Sequence, residues 1–338
     1  MAGQLTYDLV ERLTRHLHQV YQPMRRSVGL PCHRAAVLPW VFLLAACADA
    51  SRITLPGRVE EPRALPSKQG PTGGRILYAA GTLTTDLFSM DADGSNVVKL
   101  TTAASSESAP AWAPDGKRTL FASDADNGFS FAIYIMNADG TGVTRLTTPP
   151  VSEDDTSPRA LGPYVVFVRQ DFTATTRAIW WMNDDGTDLT RLTSGPADSD
   201  PAPSPNGKLV AFIRDGDVHV VDAATGAVTR LTTTADVESS PAWSPGGKQI
   251  AFAQRNPGPS NQDLFVMNAD GTAITQLTNT PSVDERAPRW SPDGKRIAFS
   301  ATVLGEWMSI WIMDADGTSL NRITPPAEFN HYLGAWAR

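Results

Sequence analysis

The sequence predicts an all-β protein: a six-bladed β-propeller of four-stranded antiparallel blades, closed by the C-terminal strand joining the first blade. Three observations lead there. An aromatic residue or His, one residue, Met or Val, then Asn or Asp recurs with its third position at Met90, Met136, Met182, Val221, Met267 and Met313, in steps of 46, 46, 39, 46 and 46 residues. A Leu/Ile-Thr landmark at Leu100, Leu146, Leu192, Leu231, Leu277 and Ile323 takes the same five steps. Two landmarks thus keep one register through a shortened unit, and periods of this length belong to propellers and solenoids. Finally, the first unit, from Arg75, lacks the Pro-x-Trp strand that opens the others, while the chain closes on Leu333-Gly334-Ala335-Trp336, an opening strand with nothing after it. The two fragments complete each other, whereas a solenoid would need capping repeats at both ends.

The chain before this array reads as an address. Residues 24–47 begin with Met24-Arg25-Arg26, run through an apolar stretch from Ala35 to Ala46 and end on Leu44-Ala45-Ala46-Cys47. Basic residues, a short apolar run and small residues before a cut make a secretory signal, and a dozen apolar residues fall short of the ~20 that span a bilayer. Leu-Ala-Ala-Cys resembles the lipobox of bacterial lipoproteins. That resemblance implies lipidation of Cys47, a membrane anchor, and, with Ala48 following, a periplasmic or cell-surface location that favours the outer membrane. Residues 1–23 are an upstream extension with apolar residues near helical spacing. Because a signal starts at an initiator Met, translation is read as beginning at Met24. Residues 48–73 are rich in Pro, Gly, Ser and charge and read as a disordered tether, spanning roughly 30 Å as a flexible coil.

Residues 74–338 form the propeller, and residues 241–279 serve as its pattern. Pro241-Ala242-Trp243 is the inner strand, and Ser244-Pro245-Gly246-Gly247-Lys248 turns the chain. Gln249–Ala253 is the second strand and Asp263–Asn268 the third. Asn268-Ala269-Asp270-Gly271 makes the next hairpin, and Ile274–Thr278 is the outer strand.

The units Ala111-Trp112-Ala113-Pro114-Asp115-Gly116-Lys117 and Trp290-Ser291-Pro292-Asp293-Gly294-Lys295 resemble the WD40-like repeats of the TolB propeller family. So do Met136-Asn137-Ala138-Asp139-Gly140 and Arg145-Leu146-Thr147. TolB itself also carries an N-terminal α/β domain, which this sequence is expected to lack. Two blades depart from the pattern: Ala160 stands for Trp with Leu161-Gly162-Pro163 at the turn, and Pro203 stands for Trp in the shortened unit.

Candidate chemistry is sparse. The chain is acidic, with net charge −7 over 338 residues, which argues against a nucleic-acid partner. The Asp-Ala-Asp-Gly turns at 91–94 and 314–317 lack the bidentate Glu of a calcium loop, since position twelve is Thr102 or Pro325; turn chemistry explains them. No Gly-x-Ser-x-Gly elbow occurs. Beyond the signal the histidines are His219, in an aromatic slot that predicts a core role, and His331; they offer no metal triad. No cofactor is expected and the protein is not expected to be an enzyme.

One constellation stands out. Three residues before each Pro-x-Trp position lie Glu107, Asp155, Asp198, Glu238 and Glu285, with His331 at the C-terminal equivalent. These are expected on the loops that feed the inner strands, around one mouth of the channel, with Asp154, Asp200 and Asp284 adding charge. The expectation is a lipid-anchored envelope protein whose acidic mouth binds a protein or peptide ligand, a basic one by charge, or a divalent cation. The alternative is a propeller hydrolase or lyase acting on an envelope polymer, with mouth carboxylates as acid and base.

Overall fold

A computed structural model of the protein describes residues 74–113, 115–126, 130–255 and 261–337. The signal, Cys47 and the tether lie outside the described residues, among which every helix or strand assigned is a strand. Twenty-four strands form six sheets of four. Blade one holds β1 (Arg75–Gly81), β2 (Thr85–Asp91) and β3 (Val98–Lys99). Blade two comprises β4 (Glu107–Trp112), β5 (Arg118–Ser123), β6 (Ala132–Asn137) and β7 (Thr144–Arg145). Blade three runs through β8 (Glu153–Leu161), β9 (Tyr164–Asp171), β10 (Thr176–Asn183) and β11 (Thr190–Arg191). The shortened unit gives β12 (Ser199–Pro203), β13 (Leu209–Arg214), β14 (Asp217–Asp222) and β15 (Val228–Arg230). Blade five is β16 (Glu238–Trp243), β17 (Gln249–Arg255), β18 (Gln262–Asn268) and β19 (Thr275–Gln276). Blade six is β20 (Val283–Trp290), β21 (Arg296–Val303), β22 (Ser309–Asp314) and β23 (Asn321–Arg322).

The last strand, β24 (Asn330–Ala337), pairs antiparallel with β1, setting Ile76 opposite Trp336 and Gly81 opposite Asn330. It supplies the inner strand of blade one, as the sequence predicts. The inner strands then neighbour one another in the closed order β4, β8, β12, β16, β20, β24 and back to β4. Apolar side chains of the two middle strands are buried against the next blade. Leu120, Ile133 and Ile135 of blade two cluster with Val165, Phe167 and Met182 of blade three. Trp336 shares a cluster with Ile76 of blade one and Ile310 and Ile312 of blade six.

The outer strands are shorter than the sequence suggests, and the Leu-Thr landmark explains why. In all six blades a Thr hydroxyl replaces the next rung of the ladder. The Oγ1 atoms of Thr101, Thr147, Thr193, Thr232, Thr278 and Thr324 accept from the amides of Leu87, Ile133, Ile179, Val218, Leu264 and Ile310 at 2.8–3.0 Å. The chain can therefore leave the sheet without orphaning a buried N–H. The Asp-Gly turns lock neighbouring blades. Gly94, at φ +84°, brings its Cα so near blade six that a Cβ would lie 2.2 Å from the Ile323 carbonyl oxygen. Asp93 completes the turn by accepting from the Ser95 amide at 2.9 Å.

Antiparallel order places the connections on two faces. The inner strands begin on the first face, together with the loops between second and third strands and the links from one blade to the next. The Ser-Pro-Asp-Gly turns and the Asp-Gly hairpins lie on the second.

Candidate functional site

The six residues singled out by register occupy one place in the architecture, at the start of each inner strand on the first face. Glu107 and Glu238 open β4 and β16, Asp155 and Glu285 are third in β8 and β20, His331 is second in β24, and Asp198 immediately precedes β12. Their exposure departs from the ligand-facing acidic mouth that the sequence suggests. The five carboxylates are 0–2% exposed and His331 is 5% exposed. The cause is a bulge two residues on. Ala109, Ser157, Asp200, Ser240 and Ala287 all adopt φ between 51° and 55°, and the inner-strand register slips there in each of these blades. A bulge kinks its strand and re-aims the side chains beside it, here into the seam between blades.

Within the seams the carboxylates find two kinds of partner. Glu107 accepts from Thr101 at 3.0 Å and from Ser105. Glu238 accepts from Thr232 at 2.8 Å and from Thr234. Glu285 accepts from Thr278 and, at 2.8 Å, from Thr280. Each acid therefore reads the same Thr that closes the preceding blade. Asp155 instead takes Arg169 in a fork, with Nε–Oδ1 at 2.6 Å and Nη2–Oδ2 at 2.7 Å. Asp198 takes Arg214 likewise, at 2.6 and 2.9 Å. Gly195 makes room for the second fork, because a Cβ there would lie 2.4 Å from both Arg214 Nε and Asp198 Oδ1.

The electrostatics follow from these partners. Burial raises the pKa of Glu107, Glu238 and Glu285, against the lowering effect of their hydroxyl donors. Glu285 is pushed up to about 7, with the Asp263 charge adding to burial. Burial lowers the pKa of His331. Glu107, Glu238 and Glu285 fasten each blade to the preceding one. The Asp155 and Asp198 forks tie the two inner strands of their own blades. His331 packs against the rings of Tyr78 and Phe329, with its Nδ1 unpartnered among the described residues. Of the neighbouring acids, Asp154 accepts from the Phe131 amide at 2.9 Å and Asp284 from the Gln262 amide at 3.2 Å, tying each link to the preceding blade. His219 is buried, its ring 5.5 Å from that of Phe212. Among the described residues no group of three or more His, Cys, Asp or Glu side chains is placed to hold a metal.

Beside exposed charges such as Glu306 and Arg286, one sector of the first face offers apolar side chains to solvent. Leu83, in the loop of blade one, is 98% exposed, and Leu304, in the matching loop of blade six, is 87% exposed. Trp307 shares that loop, Phe329 lies on the link into β24 and Tyr332 within that strand; all three keep more than a third of their surface in solvent. Blades six and one adjoin, so these side chains stand on the two blades that flank the closure seam. Single exposed apolar residues need no explanation; several on one sector of one face mark an interaction surface. Sequence reasoning passed them over because they lie in loops outside the repeat pattern. It also passed over Arg159 and Arg289, which stand on inner strands where the other blades carry Ala; that comparison across blades was available in the sequence.

The chain matches the TolB β-propeller domain over residues 69–219 and 213–335. Among solved structures it is similar to TolB from Acinetobacter baumannii, with 24% identity, TM-score 0.67, and coverage of 79% of this chain and 68% of that one. A putative TolB from Agrobacterium tumefaciens aligns at 18% identity and TM-score 0.59 over 77% of this chain and 98% of that one. An oligogalacturonate lyase in complex with manganese aligns at 15% identity and TM-score 0.50, over 74% and 73% of the two chains. No curated protein matches the sequence.

Proposed function

The chain belongs to the TolB β-propeller domain family, and from that premise we propose that it is a lipid-anchored propeller of the cell envelope that binds a protein or peptide. The partner meets the first face, at the mouth where the inner strands begin. The apolar sector at the closure seam, Leu83, Leu304, Trp307 and Phe329, carries this reading. Buried inside a complex, each such side chain contributes up to about 1.5–3 kcal/mol, and aromatic anchors of this kind dominate protein interfaces. The seam carboxylates serve as the frame that holds the mouth rather than as the charges that meet the ligand. The surface therefore favours an apolar contact over the basic peptide that the acid count suggests.

The rival reading, a hydrolase or lyase, draws on Glu285, whose pKa near 7 suits acid–base work. Its carboxylate is 1% exposed and engaged by Thr278 and Thr280, so a substrate would have to displace both. Flat activity across ester, peptide and glycoside panels counts against catalysis; saturable turnover abolished by Glu238→Ala would establish it. The binding reading is tested by capture from the native envelope with the wild-type chain and with Leu304→Asp and Trp307→Asp. Partners held by the wild type and lost by both variants, at unchanged melting temperature, support it; partners retained by both overturn it.

A further inference from the structure

The inner strands share a second register, four residues beyond the seam acids. Around the ring it is occupied by Ala111, Arg159, Ala202, Ala242, Arg289 and Ala335. The two arginines belong to β8 and β20, three steps apart in a ring of six inner strands and so diametrically opposed. Side chains on opposed blades approach each other only across the axis. The two do so: the charge of Arg159 acts on Arg289, and Asp200, on the blade beside Arg159, acts on both.

Neither guanidinium is neutralised. Among the described residues neither Arg159 nor Arg289 has a carboxylate within ion-pair distance, although ten other ion pairs form. Each is held by backbone carbonyls alone. Arg159 Nη1 donates to Ala109 O at 3.3 Å and Pro158 O at 2.8 Å. Arg289 donates through Nε to Gly334 O and through Nη1 to Pro288 O, both at 2.8 Å. These bonds fix the planes of both forks, and among the described residues none accepts from Nη2 of either. The setting is costly to a cation. Burial lowers the pKa of Arg159 to about 10, against the favourable Asp200 charge. Burial, then repulsion from Arg159, lowers that of Arg289 to about 9. Both side chains remain charged at neutral pH, so these two cations and the nearby Asp200 carboxylate together carry one positive charge in excess.

We propose that the channel holds an oxyanion site, in which the opposed guanidiniums of Arg159 and Arg289 receive one carboxylate group. A single negative charge balances the excess, and the planar fork of Arg matches a carboxylate. A dianion would set its second charge beside Asp200. The site is independent of the apolar sector on the first face. Its carboxylate comes either as a free small acid or as the acidic group of a peptide.

The test is titration calorimetry and thermal melting of the full chain with sodium acetate at constant ionic strength, against sodium chloride. In parallel, a short peptide with one Glu is compared with its Gln counterpart. Saturable binding of acetate identifies a free acid as sufficient; binding of the Glu peptide alone identifies an acidic side chain. In either case Arg159→Gln and Arg289→Gln should each weaken binding at least tenfold. Asp200→Asn, which keeps an Asx side chain at this left-handed position, should tighten it several-fold. A role confined to structure would not produce that gain. Equal responses to acetate and chloride together with equal responses to the Glu and Gln peptides overturn the proposal. So does an Asp200→Asn protein that binds no more tightly than wild type, whether or not the arginine variants fold.

Discussion

Glu285 supplies a perturbation whose size can be worked from the structure. Its carboxyl is 1% exposed and its pKa rises from 4.5 to about 7, chiefly through burial. Between those two values the folded protein holds a proton that the unfolded chain has released, so stability falls as pH rises through the window and the loss is complete above about 7. At about 1.4 kcal/mol per pKa unit, this single group costs the protein on the order of 3 kcal/mol at pH 8 relative to pH 4.5. Glu285→Gln removes the charge while keeping the shape. Its amide oxygen can accept from Thr278, and its amide nitrogen can donate to Thr280, whose hydroxyl is free to turn toward Asp263. Urea denaturation between pH 5 and 8 reads the effect. The variant should match or exceed the wild type at pH 8, and its advantage should shrink toward pH 5. Glu107 and Glu238, also raised, contribute to the slope in both proteins and cancel in the difference. A difference between wild type and variant that stays constant across this range refutes the burial argument.

Other seams and contacts make separate predictions. Breaking a fork by Arg169→Ala strands Asp155 at 0% exposure and should cost about 3–5 kcal/mol in denaturant stability; a cost under 1 kcal/mol would show that water reaches the seam. Gly94→Ala drives a methyl into the Ile323 carbonyl, whereas Gly116, also at positive φ, faces open space; melting should fall clearly further for Gly94→Ala than for Gly116→Ala. Trp336→Ala removes a buried anchor of ring closure and should cost about 3–5 kcal/mol, and loss of residues 327–338 should cost more; a truncated chain melting like the full one contradicts closure through β24. Cys47→Ser should leave unprocessed precursor and no lipid-modified protein in detergent extracts.

The fold was legible because its determinants repeat. Six Thr landmarks and six Met/Val landmarks in one register reveal the blades, and the strand of Trp336 is the opening strand that the unit beginning at Arg75 lacks. The mouth was legible only as positions. Glu107 and Asp155 share a register, yet nothing in their own spacing tells a solvated loop acid from a buried seam acid. That distinction depends on the bulges at Ala109 and Ser157, which turn both side chains inward. The donors were visible in part: Thr101 and Thr278 belong to the Leu-Thr landmark itself, whereas Arg169 and Arg214 share one position, two residues after Phe167 and Phe212, that the other blades fill with residues such as Ser123, Gln254 and Ala301. Arg159 and Arg289 show the opposite case. Their departure from Ala is plain in the aligned units, but only the ring order turns two distant substitutions into an opposed pair.

The claim that a partner meets the first face at the closure seam is tested most directly by site-specific photocrosslinking in the native envelope. A probe at Leu304 samples the first face of blade six, and a probe at Asp293, in the Ser-Pro-Asp-Gly turn of the same blade, samples the second. A discrete adduct from position 304 and none from position 293 is the predicted result. An adduct from position 293 alone, or none from either, would contradict the account.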